Sequence, residues 1–314
     1  MRERLFLYAV LLVMGTGWGL TIPLAKVAVS TGHQPFGLIF WQLVTVIVVL
    51  GAIILMRGKR LVFGRKYLAL FVMVAFCGAV LPDIFYYIAA ITLSGGVMSI
   101  TTSTVAMFSL PIALLLGNER FEARRFLGVA CGLLGIVLLV GPKASLSEGS
   151  GIWVLVALLA PMLYATEGNL VAKWGTQGLD PMQVIFSASL IGLCIMLPVS
   201  LVTGQWINPL EGVGLPELAL VVGAAVHGIV YACYVWLVGR AGSVFAAQTS
   251  YVVTATGVLW SMGLLDERYS AWVWLALAVM MVGMFLVQPR AVRVLVPGRA
   301  MTDDGRPAEE APRA

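Results

Sequence analysis

The chain has 314 residues, 60% of them hydrophobic and 11% charged, with a mean hydropathy of +0.97. A soluble domain runs nearer half apolar and a quarter charged, so these values exclude a soluble globular fold and point to a membrane. The formal charge of +5 does not indicate a nucleic-acid partner, because the basic residues follow the loops rather than forming one patch.

The opening stretch MRERLFLYAVLLVMG imitates a signal peptide, but its apolar run continues past Gly15 without a small-residue cleavage site. It reads as a retained first helix. That segment also holds GTGWGLTIPLAK, in which Trp18, Pro23 and Lys26 share one crossing with three glycines. Proline cannot donate a backbone hydrogen bond and hydrocarbon rejects a lysine charge, so a helix that merely crosses a bilayer has little use for either. Pro23 leaves the Gly19 carbonyl without its helical donor, while Trp18, Ile22, Ala25 and Lys26 fall on one stripe. The segment is expected to be a kinked helix lining a cavity.

Ten apolar segments follow in order, at about 5–28, 34–56, 67–91, 94–116, 124–141, 151–172, 181–203, 215–238, 243–265 and 271–288. Each approaches the ~20 residues that an α-helix needs to cross a bilayer. The expected fold is all-α and integral to the membrane, with ten transmembrane helices. Nearly all Lys and Arg fall on the side of the N-terminus, in the stretches at 2–4, 57–66, 120–125, 173 and 240 and in the tail. The opposite side holds Lys143 and Arg268, with Lys26 near the end of its span. The positive-inside rule then places both termini in the cytoplasm. Residues 289–314, rich in Pro, Arg, Asp and Glu, read as a disordered cytoplasmic tail.

The chain also repeats itself. GNERF closes the fourth segment and LDERY the ninth, so Glu119 corresponds to Glu267, and the same spacing pairs Gly135 with Gly283, Tyr86 with Tyr234 and Thr101 with Thr249. Lys26 and Lys173 correspond with a small drift. Residues 1–141 and 142–288 thus form two five-helix units. Because five is odd, they insert in opposite senses, giving an inverted repeat of the kind secondary transporters use around a midplane site.

These features resemble the ten-helix EamA-type members of the drug/metabolite transporter superfamily. The resemblance rests on Trp18-Gly19 followed by Pro23 and Lys26, on Pro111 with Gly117-x-Glu119-Arg120, on the ladder Gly128, Gly132, Gly135, and on the Glu267 echo. It covers about residues 5–288 and implies alternating access around a central cavity, usually for export of small organic metabolites. Leu170 and Leu259 stand where counterparts of Pro23 and Pro111 would fall, so the halves are not expected to move identically.

Besides Lys26, three further ionisable residues lie inside spans: Asp83, Glu167 and His227. A charge at membrane depth costs roughly 2.5–3.5 kcal/mol on insertion scales, so such residues face a cavity or a partner, or are buried structural groups. The repeat lays Asp83 on Tyr231, and Asp83 is four residues from Tyr87 as His227 is from Tyr231. The third and eighth helices are therefore expected to present matching polar and aromatic faces. The candidate cavity residues are Trp18, Pro23, Lys26, Tyr87, Thr101, His227, Tyr231 and Thr249, with Asp83 first and Glu167 second as proton carriers. Gly128 and Gly132 read as a helix-packing face, and the hydroxyls around Thr101 as groups bonding their own backbone.

Other functions find less support. There is no G-x-x-x-x-G-K-[ST] loop for ATP and no H-E-x-x-H for a metalloprotease, and the two histidines are His33 in a loop and His227 in a span. The cysteines at 77, 131, 194 and 233 stand singly in apolar runs, without metal-ligand spacing. The expectation is a multi-pass inner-membrane transporter without cofactor or metal, whose partners are the lipid bilayer, a small-molecule substrate and a coupled proton. A non-transporting scaffold or sensor and an intramembrane enzyme are the alternatives.

Overall fold

The computed structural model describes residues 2–117, 121–140, 150–241 and 249–287. Glu119, Arg120, Lys143 and the tail at 289–314 lie outside the described residues. Among the described residues the fold is all helical: α1 Arg2–Ala28, α2 Pro35–Met56, α3 Arg65–Thr92, α4 Gly95–Leu115, α5 Ala123–Val140, α6 Gly151–Trp174, α7 Pro181–Val202, α8 Leu215–Ala241, α9 Thr249–Leu265 and α10 Ala271–Val287. Eight are long and apolar enough to cross a membrane, and α9 and α10 are shorter apolar helices of 17 residues.

Their packing follows the duplication. Helix α1 lies against α8 and α9 of the other half, and α6 lies against α3 and α4. Across the centre, like meets like: α2 packs on α7, α4 on α9 and α5 on α10. A two-fold axis in the membrane plane produces this pattern, with the first helix of each half exchanged into the other.

Apolar surface alone does not hold helices together in lipid, where the tails are as apolar as leucine; close approach of small residues does. A Cβ on Gly128 would stand 2.6 Å from the Gly283 carbonyl oxygen, and one on Gly132 would overlap Met107. The glycines of α1 serve the same purpose. A Cβ on Gly15 would meet Val252 at 2.6 Å and one on Gly19 the Gly257 nitrogen at 2.8 Å, so α1 presses its backbone against α9.

Three helices are irregular where backbone donors are missing or rivalled. Helix α3 contains a π turn at Ala75–Val80, just before Pro82, which has no N–H to give Gly78. Helix α6 is interrupted at Leu158, where Pro161 leaves the Ala157 carbonyl without its donor. Helix α4 breaks at Ser103 and Thr104, where four successive hydroxyls, Thr101 to Thr104, bond carbonyls of their own helix. By contrast, α1 runs unbroken through Pro23.

The two ends of the bundle are closed by one device used twice. After α2 the chain crosses the start of α7, where Gln183 Nε2 donates to the Arg60 carbonyl at 2.7 Å, Ser187 donates to the Val62 carbonyl, and Lys59 pairs with Asp180. After α7 it crosses the start of α2 at the opposite end. There the Phe36 N–H donates to Gln205 Oε1 at 2.9 Å and Trp41 Nε1 to the Ile207 carbonyl at 3.0 Å.

Candidate functional site

Helix α3 resumes regular geometry at Leu81, and its first turn delivers Asp83 into the interior, only 7% exposed. Asp83 Oδ2 accepts from Gln42 Nε2 at 2.5 Å, and Oδ1 from the Tyr164 hydroxyl at 2.9 Å. Tyr87, four residues on and so on the same face, donates from its hydroxyl to Gln42 Oε1 at 2.5 Å. One amide on α2 is thereby clamped by two residues of α3, and both carboxylate oxygens of Asp83 are occupied.

On α6 the next residue along Tyr164's face is Glu167, also 7% exposed. The Tyr231 hydroxyl of α8 lies close to its carboxylate. That carboxylate also lies directly on the α3 backbone, where a Cβ at Gly78 would stand 2.6 Å from Glu167 Cδ. Tyr231 stacks on His227, with ring centroids 6.3 Å apart and planes at 21°. Trp18 of α1 then donates from Nε1 to His227 Nδ1 at 3.2 Å and meets Tyr231 and Tyr234 edge-on, at 6.1 and 5.8 Å. Because Nδ1 accepts, the neutral His227 ring carries its proton on Nε2.

The result is one chain of polar and aromatic contacts: Tyr87, Gln42, Asp83 and Tyr164, then Glu167, Tyr231, His227 and Trp18. It crosses both halves, with a carboxylate from each. The described ion pairs are His33–Glu217 and Lys59–Asp180, so among the described residues neither Asp83 nor Glu167 has a cationic partner.

The structure therefore gathers Asp83, Glu167, Tyr87, Tyr231, His227 and Trp18. The duplicated α3 and α8 communicate through α6, which carries Tyr164 to one and Glu167 to the other. Exchange of first helices between the halves puts α6 there. Lys26 is placed elsewhere. Its ammonium donates to the Ala90 and Ile91 carbonyls at 2.7 and 3.1 Å, at the C-terminal end of α3 and about 10 Å along that helix from Asp83. Glu267 completes the same corner, accepting from the Gly95 and Gly96 N–H groups at 2.9 and 3.2 Å at the start of α4. Opposite charges thus sit on the opposite helix ends of the α3–α4 turn, as the helix dipoles favour. Thr101 donates its hydroxyl to the Met98 carbonyl at 2.9 Å, the Thr249 hydroxyl is buried without a hydrogen-bond partner among the described residues, and Pro23 is buried within α1.

Sequence reading missed Gln42 and Tyr164. Gln42 is a lone amide in an apolar span, and Tyr164 precedes Glu167 by three; those were the signals available. A separate depression of about 620 Å³ opens beside the α1–α2 and α7–α8 loops, lined by Thr31, His33, Trp206, Asn208 and Glu211 among others.

Residues 5–141 and 151–288 each match the model of the EamA-like transporter family. Over 295 residues the chain is 24% identical to the uncharacterized inner membrane transporter YedA of Escherichia coli K12, covering 91% of this chain and 92% of YedA. The identity is the same with YedA of E. coli O157:H7. A crystal structure of a protein that is 18% identical has the same fold, with a TM-score of 0.62 over 88% of this chain and 95% of that one.

Proposed function

The chain belongs to the EamA-like transporter family, and from that premise we propose that it is a secondary transporter that exports a small organic solute across the inner membrane by alternating access. The family match points to a membrane transporter rather than to a scaffold or an intramembrane enzyme. In the proposed cycle the halves at 1–141 and 142–288 rock about the pseudo-two-fold axis, and the chain from Tyr87 to Trp18 is the fixed site between them.

The observation that carries this reading is the pair of buried carboxylates, one from each half, linked by Tyr164. A carboxylate at membrane depth is accommodated as the neutral acid or beside a cation, so it alternates between a proton and a substrate. Outward movement of solute is then exchanged for an inward proton. The inner membrane as location is supported by YedA, of which that is said by name.

The test is a comparison of small molecules inside and outside cells that overproduce or lack the protein. The proposal expects a defined set of solutes to move outward with overproduction and to accumulate on deletion. Identical profiles in the two strains would refute it.

A further inference from the structure

The α2–α3 loop, residues 57–66, has a duplicate at the other end of the bundle. Ser187 of α7 donates to the Val62 carbonyl, and Trp41, at the corresponding place in α2, donates to the Ile207 carbonyl of the α7–α8 loop. Each loop then makes a 3-10 turn, at Arg65–Tyr67 and at Pro209–Glu211. Matched on those two bonds, Arg60 falls on Gln205, Phe63 on Asn208, Arg65 on Leu210 and Lys66 on Glu211. The same closure is therefore made once with Arg57, Lys59, Arg60, Arg65 and Lys66, and once with no basic residue between positions 203 and 214. Closing the bundle end does not require the cations. Nor does orientation depend on them, since residues 2–4, 120–125, 173 and the tail keep the basic excess on that side.

Lys59 is committed to Asp180, and Arg57 reaches the Met182 sulfur at 3.4 Å. Among the described residues, Arg57, Arg60, Arg65 and Lys66 have no acidic partner, and all four are exposed. The backbone that carries them is nonetheless fixed, because the Arg60 and Val62 carbonyls accept from Gln183 and Ser187 of α7. It is also held at the depth of the membrane boundary. The Phe63 ring, 63% exposed, stacks on Phe71 inside α3, with centroids 6.1 Å apart and planes at 21°. Lys66 lies over the Tyr67 ring at 5.2 Å, and Leu61 is exposed between the cations. Fixed cations beside apolar side chains that fold back along a span match a lipid surface, where phosphates lie just outside the acyl chains. A soluble polyanion would engage the cations and leave Leu61 and Phe63 in water.

We infer that the α2–α3 loop is a docking surface for anionic phospholipid of the cytoplasmic leaflet. Arg57, Arg60, Arg65 and Lys66 take the headgroup phosphates, the arginines through paired N–H groups, while Leu61 and Phe63 lie among the first acyl methylenes. Because the loop is fastened to the start of α7, a bound lipid holds α2, α3 and α7 together at this end. The inference is independent of which solute the protein carries.

The test uses the full chain purified in a non-ionic detergent and mixed with phosphatidylglycerol or with phosphatidylcholine of the same acyl chains. Lipid retained per protein is counted by native mass spectrometry. A cation at an anionic surface gains about fivefold in partition, so wild type is expected to retain phosphatidylglycerol at least about tenfold more than phosphatidylcholine. That preference should shrink as salt is raised. Arg60→Gln combined with Arg65→Gln is expected to lose at least about tenfold of it, whereas Arg60→Lys with Arg65→Lys keeps the charge and most of the preference. Leu61→Ser with Phe63→Ser keeps every cation and is expected to weaken phosphatidylglycerol retention at least about threefold. Glycerol 1-phosphate, the soluble fragment of the headgroup, should displace the lipid only in large excess. Equal retention of the two lipids by wild type, a preference that ignores salt or survives the glutamine pair, or displacement by glycerol 1-phosphate at equal concentration overturns the inference. The salt response and the lysine pair decide the matter if the glutamine pair does not fold.

Discussion

Tyr164 donates to Asp83 at 2.9 Å, and that single bond ties the first helix of the second half to the third helix of the first. It also sets the spacing of the two carboxylates, because Glu167 follows Tyr164 on the same face of α6. With Tyr164→Phe, Asp83 keeps Gln42 as a donor but loses the link to α6. Leaving a buried acceptor short of a donor costs about 1–3 kcal/mol, so the variant is expected to unfold earlier by that amount. Asp83→Asn is expected to couple to it. In a double-mutant cycle read by thermal unfolding in nanodiscs, the pair should cost less than the sum of the singles. Additive effects would mean that the bond contributes nothing to the fold.

Ten helices, their alternation and their inverted duplication were legible because the signals are one-dimensional: apolar runs, charge-rich loops and a recurring spacing. Asp83, Glu167 and His227 were legible for a related reason, since a charge in hydrocarbon is costly wherever it faces. Gln42 and Tyr164 were not. A neutral amide or phenol costs little at membrane depth, and only the three-dimensional meeting of α2, α3 and α6 gives each its role. Lys26 was legible as a charge near a helix end, but its partners are the Ala90 and Ile91 carbonyls on a different helix. Nothing in the local sequence reports which helix end lies beside it. Pro23 lies inside an α1 that runs from Arg2 to Ala28, and the glycines before it let α9 pack closely along the helix.

Gly78 offers a test confined to one methyl group. A Cβ there would come within 2.6–2.8 Å of the Glu167 carboxylate, whereas a Cβ at neighbouring Gly168 would meet nothing within 4 Å. Gly78→Ala is expected to displace the carboxylate and cut transport at least about tenfold, one misplaced contact being enough for such a loss. Gly168→Ala should leave transport intact and add slightly to stability, since alanine favours helix. Equal rates for both variants would show that the position of Glu167 against α3 does not matter.

Lys26 separates a structural role from a substrate-binding one. Its bonds to the end of α3 predict that Lys26→Met loses about 1 kcal/mol of stability through the missing cap. Concentration dependence of transport should stay close to that of wild type once the folded fraction is matched. A large rise in half-saturating concentration with unaltered unfolding would place Lys26 at the substrate instead.

The orientation can be checked directly. Lys59 and Asp180 meet at one end of the bundle, and Phe36 and Gln205 at the other. The basic loops assign the first end to the cytoplasm. Reporter fusions at the loop near residue 60 should therefore be active only as cytoplasmic reporters, and fusions near residue 205 only as external ones. The reverse pattern would invert the protein and turn export into import.

The central claim is that two half-molecules carry a solute outward in exchange for a proton, and vesicle flux tests it most directly. Purified protein is reconstituted into vesicles loaded with a pool of small cellular metabolites, and the released fraction is followed by mass spectrometry with and without a proton gradient directed into the vesicles. A discrete set of solutes is expected to leave only the protein-containing vesicles, faster with the gradient, and the gradient response should vanish in Glu167→Gln. If protein-containing and empty vesicles release the same solutes at the same rates, the transport claim is contradicted; if flux ignores the gradient, the proton exchange is.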